Sequence, residues 1–324
     1  MIFNKWKLFA FYDLLIAFYD NHITYKKYPK LENSYSLNNY NKLTYEDVGI
    51  IIQGDWVQDA SYTLNTVKIY KKIFPKSKII ISIWKLNFES KEALMKLGVH
   101  LILNKDIPNP GIKNINRQIT TTLAGVELAK KLGCQYCMKT RTDQRVCSSS
   151  AISSLKNNLI FFKEEEQKKI IAASRNTFKY RLYGISDMFQ FGRTGDILLF
   201  WSCPLDPRDP VKQQPARIES LFDFANWCIC EVYLVTNYLK KLNVNIAWTL
   251  KHYREVLASY FIIIDSAALG IHWFKYSYRD SIWHNYTEEI RAQEVEFNDW
   301  LLYYNQVEFN EDESIIYSPI DHAN

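Results

Sequence analysis

The chain is expected to be an α/β protein whose mainly parallel sheet is covered by helices. Three observations lead there. From about Asp47 to Thr140, short apolar runs alternate with stretches whose apolar residues recur at helical spacing. The short runs are continuously apolar, as in strands buried on both faces. Gly or Pro punctuates the ends of most segments. Such alternation implies right-handed crossovers between parallel strands.

The elements follow in order. "VGIIIQG" is a strand stopped by Gly54. "YTLNTVKIYKKIF" is a helix with a stripe of Leu64, Val67, Ile69, Tyr70 and Ile73, and Pro75 lies just past its end. "KIIISIW" is the second strand. "SKEALMKL" is a short helix, capped by Ser90 and ended by Gly98. "VHLILN" is the third strand, followed by the loop "KDIPNPGIKN". "INRQITTTLAGVELAKKLG" is a helix with apolar Ile115, Ile119, Leu123, Val126 and Ala129, and "CQYCMKT" is the fourth strand.

After Ser150 the pattern loosens. "KIIAAS" and "SDMFQFG" read as strands, "TGDILLFW" as a short helix, and Leu221 to Leu242 as one long helix. Beyond Trp248 come aromatics and four of the six histidines, with no clear repeat. The expected organisation is an N-terminal helical extension (1–46), one large domain (47–290) and a C-terminal extension (291–324).

The 324 residues suffice for a sizeable core, and 48% hydrophobic with 15% aromatic content indicates a folded chain. Forty basic against 35 acidic residues leave +5. That suits an anionic substrate or a membrane surface and argues against a nucleic-acid partner. The mixed run "KEEEQKK" from Lys163 reads as a solvated connection. Six cysteines form no disulfide framework, and the C-x-x-C of Cys134 and Cys137 reads as buried thiols in a reducing setting. Asp13 interrupts the apolar N-terminus, so no piece reaches the roughly 20 residues of a membrane span. Residues 1–20 are either a packing helix or an interfacial one, with Lys5 and Lys7 at the headgroups.

The sequence contains no G-x-G-x-x-G, no G-x-x-x-x-G-K-[ST], no H-E-x-x-H and no G-x-S-x-G. What remains compatible is an enzyme acting on nucleotide sugars at a sheet edge. "YCMKTRTDQRV" fits that reading: Asp143 follows the end of a buried strand, where open parallel sheets bind ligands. The carboxylate either holds a divalent cation against phosphates, with Lys139, Arg141 and Arg145 nearby, or pairs with a neighbouring arginine.

"TLNTVKIYKKIFPKSKIIISIWK", "NINRQITTTLAGVELAKKLGCQYCMKTRTDQRV", "SDMFQFGRTGDILLFW" and "CEVYL" occur in this order. Together they resemble the WavE family of lipopolysaccharide-synthesis proteins, bacterial glycosyltransferases of the GT-A type. The resemblance runs from about Gln53 to Leu239. It implies a GT-A-like (Rossmann-like) fold, a nucleotide-sugar donor, and a free or lipid-linked glycan acceptor of lipopolysaccharide, O-antigen or capsule. The reducing setting fits a cytoplasmic protein, and the interfacial reading of residues 1–20 would make it peripheral at the inner face of the inner membrane.

Carried over residue by residue, Asp143 takes the place of the GT-A Asp-x-Asp carboxylate and would bind manganese or magnesium. Here Gln144 and Arg145 follow it, so only one carboxylate is present. His272 in "GIHWF" would be the C-terminal metal ligand. Gln53, Trp84, Arg117, Gln118, Lys139 and Arg141 would bind the donor. Asp187 would contact acceptor or donor sugar, with Glu231 as the alternative base. Two other functions stand beside this one: a sugar-phosphate or other nucleotide-dependent transferase, and a non-catalytic carbohydrate-binding or assembly protein.

Overall fold

The computed structural model describes residues 28–34, 43–162, 169–209, 218–275, 293–309 and 313–317. The helix expected over residues 1–20 and most of the charged connection, 163–168, lie outside the described residues. Among the described residues, no helix is long and apolar enough to cross a membrane.

The first half alternates as its periodicity predicts: β1 (Val48–Gln53), α1 (Tyr62–Ile73), β2 (Lys78–Ile83), α2 (Phe88–Lys96), β3 (His100–Leu103), α3 (Ile115–Lys131) and β4 (Tyr136–Arg141). β5 (Gln144–Val146), α4 (Ala151–Phe161), β6 (Ile170–Ala173), β7 (Gln190–Arg193) and α5 (Thr194–Trp201) follow. Then come α6 (Leu221–Cys228), α7 (Cys230–Lys241), α8 (Leu250–Tyr260), β8 (Phe261–Ile264), β9 (Ile271–Trp273), α9 (Phe297–Tyr304) and α10 (Ser314–Tyr317).

Seven strands form one sheet in the order β3-β2-β1-β4-β7-β6-β8. β1, β2, β3 and β4 pair in parallel, as do β6 and β8, while β7 runs antiparallel to both neighbours. β1 is buried along its whole length, which is why it reads as an unbroken apolar run. The chain steps outward from β1 to β2 and β3, then returns through α3 to β4 on the other side of β1. That reversal makes the carboxyl ends of β1 and β4 the topological switch point, where ligands bind in such sheets. Gln53 and Arg141 stand opposite each other in the ladder at those ends.

α3 packs directly on β1 and β2. A Cβ added at Gly125 would lie 2.5 Å from Ile51 Cγ2. Gly125→Ala is therefore expected to destabilise by about 1–3 kcal/mol through overpacking, outweighing roughly 1 kcal/mol of gained helix propensity. Urea unfolding measures it, and a neutral or stabilising result would contradict the packing.

Several expectations are corrected. Asn87, not Ser90, caps α2: its Oδ1 accepts from Ser90 N at 2.9 Å. The expected long helix breaks at Ile229, which is extended (φ −104, ψ 115). No Gly or Pro marks the break, and the apolar pattern runs across it. Asp187 lies in the loop before β7 and does not begin a strand. α8 is capped by Thr249, runs straight into β8, and β9 pairs with β5 as a separate ribbon. Residues 293–309, within the expected C-terminal extension 291–324, pack against the sheet-bearing part of the chain. Trp300 is fully buried, and its Nε1 donates to the carbonyls of Leu257 and Phe261 at 3.0 and 2.9 Å.

Cys134 and Cys137 are buried free thiols. Burial pushes Cys137 up to about 12, and its Sγ contacts Thr194 Oγ1 at 3.4 Å. They fill space at the start of β4 and stay protonated at neutral pH.

Candidate functional site

A cavity of about 810 Å³ opens at the carboxyl ends of β1 and β4. β1 and the turn after it contribute Gln53, Gly54 and Asp55, and the residue after β2 contributes Trp84. The first turn of α3 brings Arg117 and Gln118, while β4 ends in Arg141. The far wall comes from the loop after β6, the loop holding Asp187, and the start of α7 with Cys230 and Glu231.

Two carboxylates define the chemistry of that wall. Glu231 is almost wholly buried. Asn176 Nδ2 donates to its Oε1, and the Cys230 thiol donates to its Oε2 at 3.1 Å. Burial, and then the charge of Asp187, raise its pKa above the ordinary carboxylate value. Asp187 is also buried, and its Oδ2 has no hydrogen-bond partner among the described residues. Such an oxygen on a cavity wall is suited to a substrate hydroxyl. Asn176, with a left-handed backbone (φ 69), joins this wall together. Its N–H donates to Glu294 Oε1 at 2.8 Å, and its Oδ1 accepts from Arg181 Nη1 at 3.1 Å.

Six cationic side chains line the cavity: Lys113, Arg117, Arg141, Arg175, Arg181 and Lys275. Four carboxylates do so, Asp55, Asp187, Glu231 and Glu294, so the lining carries a formal excess of two positive charges. Arg141 is held by a two-pronged pair with Asp143, Nε to Oδ1 at 2.8 Å and Nη2 to Oδ2 at 3.0 Å. Burial opposes its charge, but the hydrogen bonds and charge of Asp143, with Asp187, outweigh that and shift its pKa upward. Its Nη1 makes no hydrogen bond to the described residues. Arg117 sits on the exposed rim, paired with Asp106 at 3.2 Å.

Of the ten residues singled out from the sequence, the cavity brings together Gln53, Trp84, Arg117, Gln118, Arg141, Asp187 and Glu231. Gln53 is buried, its Oε1 accepting from Thr121 Oγ1 at 2.9 Å. Gln118 Oε1 is buried without a hydrogen-bond partner among the described residues. Lys139, Asp143 and His272 are not on its wall. Lys139 is fully buried behind it, donates from Nζ to the Asp187 carbonyl, and lies 4.7 Å from the Trp201 ring centroid. Burial lowers its pKa to about 8, against the pull of Asp187. Lys139 thus holds the Asp187 loop from behind the cavity wall.

Asp143 and His272 are each hydrogen-bonded to other side chains of the chain. Trp273 Nε1 adds a bond to Asp143 Oδ2 at 3.1 Å, so Arg141 and Trp273 together occupy both carboxylate oxygens. His272 faces Tyr62, with Nδ1 2.9 Å from the Tyr62 hydroxyl, and burial lowers its pKa. Arg145, opposite His272 in the β5–β9 ribbon, shares that face and stacks over Tyr62 at 4.4 Å. Among the described residues, no three His, Cys, Asp or Glu side chains gather into a metal site.

Sequence reasoning missed Arg175, Asn176, Arg181, Glu294 and Lys275. For Arg175 and Asn176 a signal existed: they follow "KIIAAS" as Asp143 follows its strand, and the carboxyl-edge rule applies equally there. Glu294 and Lys275 arrive from distant segments that no local pattern connects.

Solved structures with some likeness include a nucleoside-diphosphate-sugar pyrophosphorylase from Vibrio cholerae, at 11% identity, TM-score 0.38, covering 72% of this chain and 99% of that one. A cytidylyltransferase from Leptospira borgpetersenii gives 15%, 0.32, 62% and 99%. A CMP:2-keto-3-deoxy-manno-octonic acid synthetase complexed with CTP gives 8%, 0.36, 68% and 90%. Likeness this distant extends to neither substrate nor reaction. No curated protein matches the chain. The WavE lipopolysaccharide synthesis family matches residues 48–318, which span every strand of the sheet and every wall of the cavity, and the chain belongs to that family.

Proposed function

We propose that the chain is a GT-A-like glycosyltransferase that moves a sugar from a nucleotide-sugar donor to a hydroxyl of a lipopolysaccharide-type glycan. One observation carries the reading. A buried carboxylate pair, Asp187 and Glu231, and a cluster of cations share one cavity at the switch point of the sheet. Both serve glycosyl transfer: a carboxylate can take the acceptor hydroxyl's proton, and positive charge stabilises the departing diphosphate. Glu231 takes the acceptor proton, and the unpaired Oδ2 of Asp187 receives a sugar hydroxyl. Arg141 and its neighbours take the phosphates, and Trp84 offers an indole face to the base. The family's description supports the acceptor class.

Labelled nucleotide sugars, offered with a lipopolysaccharide-type glycan to the full chain, test this. The expected products are an extended glycan and a nucleoside diphosphate. Release of pyrophosphate from a nucleoside triphosphate and a sugar phosphate would replace this reading with nucleotidyl transfer. Glycan binding with no turnover of any nucleotide sugar would leave a binding protein.

A further inference from the structure

We propose that the cavity clamps the donor's diphosphate with side-chain cations centred on Arg141, with Asp143 as a positioning residue for that arginine and without a divalent metal. The proposal rests on the nucleotide-sugar reading above and concerns how the phosphates are held.

Four observations point the same way. Both oxygens of Asp143 are engaged by Arg141 and Trp273, at 2.8 to 3.1 Å, and the residue is only 8% exposed. A cation could reach it only by displacing the arginine from a two-pronged pair. Where a second carboxylate could follow, the sequence has Gln144 and Arg145, and Arg145 is anchored to Thr66 and Tyr62 on the other side of the ribbon. His272 is turned to the Tyr62 hydroxyl. Meanwhile Arg141 lines the cavity with Nη1 unengaged by the described residues, beside Arg175, Arg181 and Lys275. A guanidinium whose orientation is set from behind presents its remaining N–H groups at a fixed angle, and that geometry matches phosphate oxygens.

The test is calorimetric titration of the full-length chain with UDP, GDP, CDP, ADP and dTDP, in EDTA and again with manganese. At least one diphosphate is expected to bind in EDTA as tightly as with manganese, and more tightly than its monophosphate. Asp143→Asn should weaken that diphosphate at least about tenfold in both buffers, the factor one charge-assisted hydrogen bond supplies. The monophosphate should be affected less. Arg117→Ala, on the exposed rim where the core is untouched, should also weaken it in both buffers. Diphosphate binding that appears only with manganese, or an Asp143→Asn loss confined to the manganese buffer, overturns the metal-free clamp and leaves the transferase reading standing. Absence of nucleotide binding in either buffer removes both.

Discussion

Glu231→Gln is expected to lower kcat by about 10²–10⁴-fold, the usual contribution of a positioned general base. The substitution keeps volume and can still accept from Asn176 Nδ2, which bonds Glu231 Oε1. It removes the ability to take a proton, together with the charge and the oxygen that accepts from the Cys230 thiol. KM for the donor should change little, because the cations around Arg141 are untouched. The pH dependence follows from the raised pKa. Burial and the charge of Asp187 keep the carboxyl protonated above the ordinary 4.5, so activity should fall as pH drops through a window shifted toward neutrality. The stability sign is the reverse. A raised pKa in the folded state means the native protein binds the proton more tightly, so this group's contribution is present at low pH and lost as pH rises. Glu231→Gln should thus be at least as stable as the parent at pH 7. An unchanged kcat would pass the base role to Asp187 or abolish it.

Arg145→Ala is expected to cost about 3 kcal/mol or more in unfolding free energy, because several hydrogen bonds from a buried cation vanish together. Its Nε donates to Thr66 Oγ1 at 3.0 Å, Nη2 to the Tyr62 carbonyl at 3.1 Å, and Nη1 to the Pro29 carbonyl at 2.6 Å. These bonds tie β5 to α1 and to the segment around Pro29. Urea denaturation of the variant measures the loss. A phosphate-binding Arg145, as the run of cations around Asp143 suggested, would instead leave stability nearly unchanged and weaken nucleotide binding. Arg145→Lys should recover only part of the loss, since a lysine cannot supply the planar fork.

The two variants differ in how legible their residues were. Glu231 was named from the resemblance of "CEVYL", yet the break at Ile229 that starts a new helix at the cavity wall has no sequence mark. Proximity in sequence groups Arg145 with Lys139 and Arg141. The turn at Thr142 and Asp143 sends β5 into a different ribbon, so its face is set by pairing with β9. Lys139 and Arg141 do share a face, as strand alternation requires, but depth separates them: one is sealed behind the Asp187 loop and the other reaches the cavity.

The sequence by itself determined the alternating architecture from β1 to β4, the carboxyl edge where the cavity lies, and the helix start that carries Arg117 and Gln118. These are local matters: an apolar run buried on both faces, a 3.6-residue stripe, a polar residue just past a strand end. Only the tertiary structure decided that Asp143 faces Arg141 and Trp273, that His272 turns to Tyr62, and that Asn176 bonds Glu231 while also bonding Arg181 and Glu294. Those contacts join residues as far apart as 210 positions, through loop paths and strand pairings that no short-range pattern encodes. Burial then sets the chemistry, because a carboxylate's charge, partner and proton affinity depend on what surrounds it in space and not on its neighbours in the chain.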